Sequence, residues 1–166
     1  MFEKQAWMQR AGEYPQSDQE YFALLARAVF SAGLGPKVVE SRWKEMCSAF
    51  HGFDPALVQQ MGEADVTRLL GDPAVIRNRR KIEAVIRNSQ TFQEQLAECA
   101  TFHEFLEELG AGMDLRTAAE GLSQTFTHLG PTSALFFLFS AGWRPQEPAP
   151  QGAGLREAEL QVAAEV

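Results

Sequence analysis

The sequence predicts an all-α protein built from short helices, and three observations carry that reading. Helix-start signals recur: residues 17–20 and 101–104 are capping boxes, and Asp54-Pro55 pairs a capping carboxylate with proline at the first helical position. Apolar residues between these signals return at three- and four-residue spacing. Sustained period-two alternation and Asn-Gly hairpin signals are absent.

The first capping box opens an amphipathic stretch with Tyr21, Leu24, Leu25, Ala28, Val29 and Ala32 on its apolar side, ended by Gly33 and Gly35. Pro36 suits the first turn of a second helix carrying Val38, Val39, Trp43, Met46 and Phe50. Asp54-Pro55 starts a third, with Leu57, Val58 and Met61 inward. A short helix over 63–70 stops at Gly71-Asp72-Pro73. Residues 75–96 read as one long helix with Ile76, Ile82, Val85 and Ile86 inward. The second capping box leads Phe102, Phe105 and Leu109 into the core. A helix over 115–123 runs into residues 126–132, and the apolar run 134–139 forms the next helix. One domain is expected over 1–143. From Arg144 the chain reads as a proline-rich linker and tail over 144–166, with an exposed helix over 155–164.

A length of 166 residues suits one domain with a sizeable core. Fifteen Lys and Arg against 22 Asp and Glu leave a net charge of −7. Such a surface repels phosphate, so a nucleic-acid partner requires a local basic patch. Cys47 and Cys99 lack paired spacing and a neighbouring His, which predicts reduced core thiols and no metal site. The first residues lack the pattern of a leader, and the run 134–139 is far too short to cross a bilayer. A monomeric cytoplasmic protein without cofactor or membrane contact is expected.

Two local features bear on chemistry. At Leu129, Gly130, Pro131 and Thr132 the chain turns between two helices, where free backbone amides and a helix N-terminus can hold a phosphate oxygen. The same turn equally serves to reverse the chain. The cluster Arg77-Asn78-Arg79-Arg80-Lys81 spreads over more than half of a helix circumference, so these residues cannot share one ligand. Arg77, Arg79 and Lys81 are the candidates for touching a DNA backbone; a solvated face with internal ion pairs is the other reading. His51, His103 and His128 form no nucleophile–base pair.

The central segment resembles DNA-3-methyladenine glycosylase I. Phe50-His51-Gly52-Phe53-Asp54-Pro55, Val58 and Met61 are similar to the family's F-x-x-F-D-P-x-x-V-x-x-M. Residues 76–88 are similar to I-R-N/H-R-x-K-I-x-A-x-I-x-N. Ala32-Gly33-Leu34 matches part of L-E-G-x-Q-A-G-L-S-W, and Phe126, Leu129-Gly130-Pro131-Thr132, Phe137 and Gly142 match the family's hairpin segment. The resemblance covers about residues 15–143. It implies a helix-hairpin-helix DNA glycosylase fold that bends duplex DNA, extrudes an alkylated purine and cleaves its N-glycosidic bond. It makes the turn at Leu129, Gly130, Pro131 and Thr132 the backbone anchor. Trp7, Tyr14, Tyr21 and Phe30 are the expected base pocket.

The departures are as specific as the match. Ala28 falls where the family carries its base-reading glutamate, and Pro36 where it carries a stacking tryptophan. The family's zinc-binding Cys and His have no counterpart, leaving Trp7, Trp43 and Trp143 to tie down the termini by packing. Ser123-Gln124-Thr125 lacks the basic residues expected before the hairpin. Glu20 and Glu40 are the carboxylates nearest the expected pocket in sequence, and each reads more simply as a cap or solvated residue. Three functions follow: a divergent glycosylase with no assigned catalytic residue, a non-catalytic module for alkylated or abasic duplex DNA, or an acidic helical protein-interaction domain. Either DNA reading implies weak, salt-sensitive binding.

Overall fold

Each of the three start signals caps the helix it announces. In a computed structural model, which describes residues 2–145, the Ser17 hydroxyl accepts from the Glu20 N–H at 3.1 Å and opens α1 (Asp18–Ser31). The Asp54 carboxylate accepts from the Ala56 N–H at 3.0 Å and opens α4 (Pro55–Val58). The Thr101 hydroxyl accepts from the Glu104 N–H at 3.1 Å and opens α7 (Phe102–Glu108). The linker and helix expected beyond Pro145 lie outside the described residues.

The remaining helices refine the expectations. The single helix expected from Pro36 is two, α2 (Pro36–Glu40) and α3 (Trp43–Ala49). They break at Ser41-Arg42, where the Arg42 guanidinium donates to the Pro73 carbonyl at 2.9 Å. A one-turn 3-10 helix, His51–Phe53, leads to α4 through Gly52 at φ +67°. Leu57 on α4 faces solvent, not the core. α5 spans Glu63–Leu70. The long helix α6 (Arg79–Glu98) starts four residues later than predicted, because the Asn78 side chain accepts from the Lys81 N–H and fixes the start there. α8 (Leu115–Thr125) is capped by Asp114, and α9 (Pro131–Ser140) starts three residues before the apolar run. No strand occurs among the described residues.

α1 runs through the middle of the bundle, packed by α6, α7, α9 and the 3-10 turn. Its Tyr21, Phe22, Leu25 and Phe30 are fully buried. Aromatic rings fill the space around it: Phe92 stacks on Phe102 at 4.2 Å and Phe50 on Phe53 at 5.1 Å. Such offset pairs add about 1 kcal/mol each to the burial of the rings.

The N-terminal segment and the segment that closes α9 meet through backbone as much as packing. The Gln9 N–H donates to the Ser140 carbonyl and the Gly12 N–H to the Gly142 carbonyl, both at 2.9 Å. Arg144 donates from Nη2 to the Gln9 carbonyl at 3.0 Å. Trp143 is buried against Tyr14, and Trp7 meets Phe136 of α9 edge-on. Trp43 has a different task, stacking on Phe53 at 4.9 Å. No helix among the described residues is long and apolar enough to cross a membrane.

Candidate functional site: a groove beside the α8–α9 hairpin

α8 and α9 pack on each other and are joined by residues 126–130. Phe126 and Leu129 are buried and anchor the connection, while Gly130, Pro131 and Thr132 are exposed. Asn88 of α6 pins the loop from inside. Its amide donates to the Thr127 carbonyl and its carbonyl accepts from the Thr127 N–H, both at 2.9 Å. Pro131 has no N–H, so the first free donors of α9 belong to Thr132 and Ser133, at the positive end of the helix dipole. Gly130 sits at φ −68°, a backbone any residue adopts, and a β-carbon there would meet nothing within 4 Å. The absence of a side chain therefore leaves open space in front of the turn, with no backbone constraint demanding it.

That N-terminus borders a groove of about 770 Å³. Phe2, Ala28, Pro36 and Phe136 form its apolar wall, and Thr132 and Ser133 bring the start of α9 into it. Gly33 and Gly35, at φ +78° and +84°, turn the chain around its rim. Its charged lining residues are Glu3 and Lys37. Glu20 accepts from the Gln16 N–H at 2.9 Å as part of the α1 cap, the role expected of it, and neither Glu20 nor Glu40 lines the groove. Glu3 was missed because it lies far from the motif in sequence, brought in as Phe2 packs on Phe136 and Phe139.

None of the four residues expected to form the pocket lines this groove. Phe30 follows Ala28 by two residues, about 200° further around α1, so a groove-facing Ala28 turns Phe30 into the core against Phe50. Tyr21 shares the Ala28 face by helical period but lies about 10 Å back along the axis. There it joins Tyr14, His103 and Trp143 in a separate cluster, its hydroxyl 2.7 Å from His103 Nδ1. Burial pushes the Tyr21 phenol well above its ordinary range. His103 Nε2 lies 2.9 Å from the Glu107 carboxylate, which only accepts, so Nε2 donates there. Trp7 borders the groove through Phe136.

The face of Trp7 is covered by a feature that the sequence did not announce. The Arg27 guanidinium lies 3.5 Å from the Trp7 ring centroid and 4.9 Å from that of Trp43, and Arg27 is buried. Its Nε and Nη2 have no protein acceptor. Burial pushes its pKa down to about 10, so the charge is held at a cost that is complete at every pH below about 10. Removing a buried charge in favour of a similar apolar volume commonly stabilises. Arg27→Met should raise the unfolding free energy by about 1–3 kcal/mol. The gain should be flat between pH 6 and 9; urea melts that show a loss, or a slope in this range, contradict the assignment.

The basic cluster divides between internal and free roles. Lys81 sends its ammonium to the carbonyls of Phe30 and Ala32 at the end of α1, and burial lowers its pKa. Arg79 bridges Glu63 at 2.9 Å and Glu83 at 3.1 Å, which raise its pKa. Arg77 is exposed. Arg80 and Arg87, which were not singled out, line a small polar cleft beside Thr127 and His128. Among the described residues no three His, Cys, Asp or Glu side chains are grouped to hold a metal ion. Cys47 and Cys99 are both free, and burial raises their thiol pKa values.

Comparison with known proteins gives a consistent result. DNA-3-methyladenine glycosylase 1 of Escherichia coli (strain K12) is 37% identical over 71 residues, 42% of this chain and 38% of that enzyme's length. The structure of 3-methyladenine DNA glycosylase I from Staphylococcus aureus superposes with a TM-score of 0.72 at 24% identity, covering 82% of each chain. Another 3-methyladenine DNA glycosylase I crystal structure gives 0.69 at 22% identity, over 81% of this chain and 93% of that one. The likeness to these structures is one of fold. The methyladenine glycosylase family profile matches residues 4–142, and on that span the chain belongs to the methyladenine glycosylase family.

Proposed function

We propose that the protein is a DNA glycosylase that takes an extruded alkylated purine into the groove while the turn at Leu129, Gly130, Pro131 and Thr132 holds the strand. The observation that supports this reading is that Thr132 belongs to both features and Ser133 follows it into the groove, so the turn lies beside the cavity. A domain over residues 1–143 carries the activity, as a cytoplasmic monomer without cofactor.

The chemistry asks little of the wall. An N-alkylated purine is cationic, so when the N-glycosidic bond breaks the base leaves neutral with the bonding electrons. Water then adds to C1′ and loses a proton, leaving an abasic sugar. Protonating the leaving group is unnecessary. Ala28 removes the family's glutamate from this wall, and Glu3 is the carboxylate that lines the groove in its place. The rate is therefore expected to be low and binding weak, with a salt slope of about two to four phosphates.

Two measurements test the reading. Incubation with methylated duplex DNA should release 3-methyladenine above background. Binding of abasic duplex without any release would leave the lesion-binding module, which the uncharged Ala28 wall favours. Gly130→Asp should lower duplex affinity about tenfold or more by placing a carboxylate in front of the amides. Because aspartate is a good N-cap residue, the melting temperature should hold or rise. Unchanged affinity would remove the turn as the anchor.

A further inference from the structure

The motif shared with the family leaves positions 80, 83, 85 and 87 of α6 open, and this chain fills the first and last of them with arginine. Arg80, Ala84 and Arg87 stand at i, i+4 and i+7, one face of the helix. Ala84 is buried beneath, whereas Arg80 and Arg87 are exposed. The two arginines line a polar cleft of about 260 Å³ with Glu83, Thr127 and His128, sharing no residue with the apolar groove. Among the described residues their guanidinium groups make no ion pair, unlike that of Arg79 next door. The one carboxylate in the cleft, Glu83, already accepts from Arg79 at 3.1 Å.

The cleft is also built to a fixed geometry. Asn88, on the same helix, grips Thr127 through both of its amide atoms. The neighbouring His128 is exposed and held at φ +53°, so the loop wall cannot slide along α6. Two free guanidinium groups beside an imidazole, in a chain of net charge −7, form a local exception to the overall sign. Guanidinium forks match phosphate oxygens in geometry as well as charge.

We propose that Arg80 and Arg87, with His128, bind a backbone phosphate of the duplex that the hairpin anchors. The site restores on α6 the charge that Ser123-Gln124-Thr125 fails to supply from α8. The inference rests on the reading of the protein as a duplex-DNA binder and adds where the cationic grip lies.

The test is a salt titration of duplex binding by the full chain, followed by fluorescence anisotropy on DNA carrying an abasic-site analogue. The pair R80Q and R87Q should lower the slope of log K against log salt by about one, the loss of a single phosphate contact, and weaken binding about 10- to 100-fold at low salt. The charge-keeping pair R80K and R87K should retain the slope. K44Q on α3, which lines a different cleft, should change neither quantity beyond experimental error. Circular-dichroism melts of all variants should coincide with the parent, since both arginines are exposed. If the parent binds and the glutamine pair keeps its slope, the phosphate site is wrong while DNA binding stands. If the parent binds no duplex at any salt, both fall.

Discussion

Gly142→Ala should lower the unfolding free energy by about 3–5 kcal/mol. Gly142 lies at φ +97°, a conformation that costs an L-residue dearly. Its added β-carbon would come within 2.8 Å of the Arg10 carbonyl oxygen and 2.9 Å of that of Glu13. Both obstacles are backbone, so no rotamer change relieves them. The same glycine accepts the Gly12 N–H, so its displacement also unfastens the N-terminal segment that carries Phe2 and Glu3 to the groove. Thermal melts should show a fall of about 10 °C or more. A midpoint within about 2 °C of the parent would mean that the segments around Gly12 and Gly142 are not joined as described.

Asn88→Ala is the second large effect, and it separates stability from function. Asn88 is buried, and truncation strands the Thr127 N–H and carbonyl that it satisfies. Losing two hydrogen bonds and leaving two polar groups without partners costs about 2–4 kcal/mol. The connection 126–130 then loses its tether to α6, so duplex affinity should fall further than the lost stability explains. Urea denaturation gives the first quantity, and anisotropy well below the melting range gives the second. Full duplex affinity in a destabilised variant would show that the tether serves the fold alone.

The legibility of this chain follows the range of the interactions involved. Ser17, Asp54 and Thr101 were readable because a cap is a local event, settled within four residues. The start of α6 was not, because Val75 and Ile76 are buried in a loop and so imitate the inward positions of a helix. The break between α2 and α3 was equally hidden. Arg42 is held there by Pro73, 31 residues away. At the site, the turn at Leu129, Gly130, Pro131 and Thr132 announced itself through glycine and proline chemistry. The groove did not, since it is assembled from the N-terminal segment, the end of α1 and the start of α9. Spacing also misdirected the choice of basic residues. Which of five neighbouring positions is free depends on partners such as Glu63 and the carbonyl ends of α1, which no local pattern reveals.

One side chain reaches from α6 to the groove. Lys81 donates to the Phe30 and Ala32 carbonyls at the end of α1, and Ala32 lines the groove. Neutralising Lys81, by acetylation or by a K81Q change, would leave both carbonyls without that donor and loosen the stretch of groove wall that the end of α1 supplies.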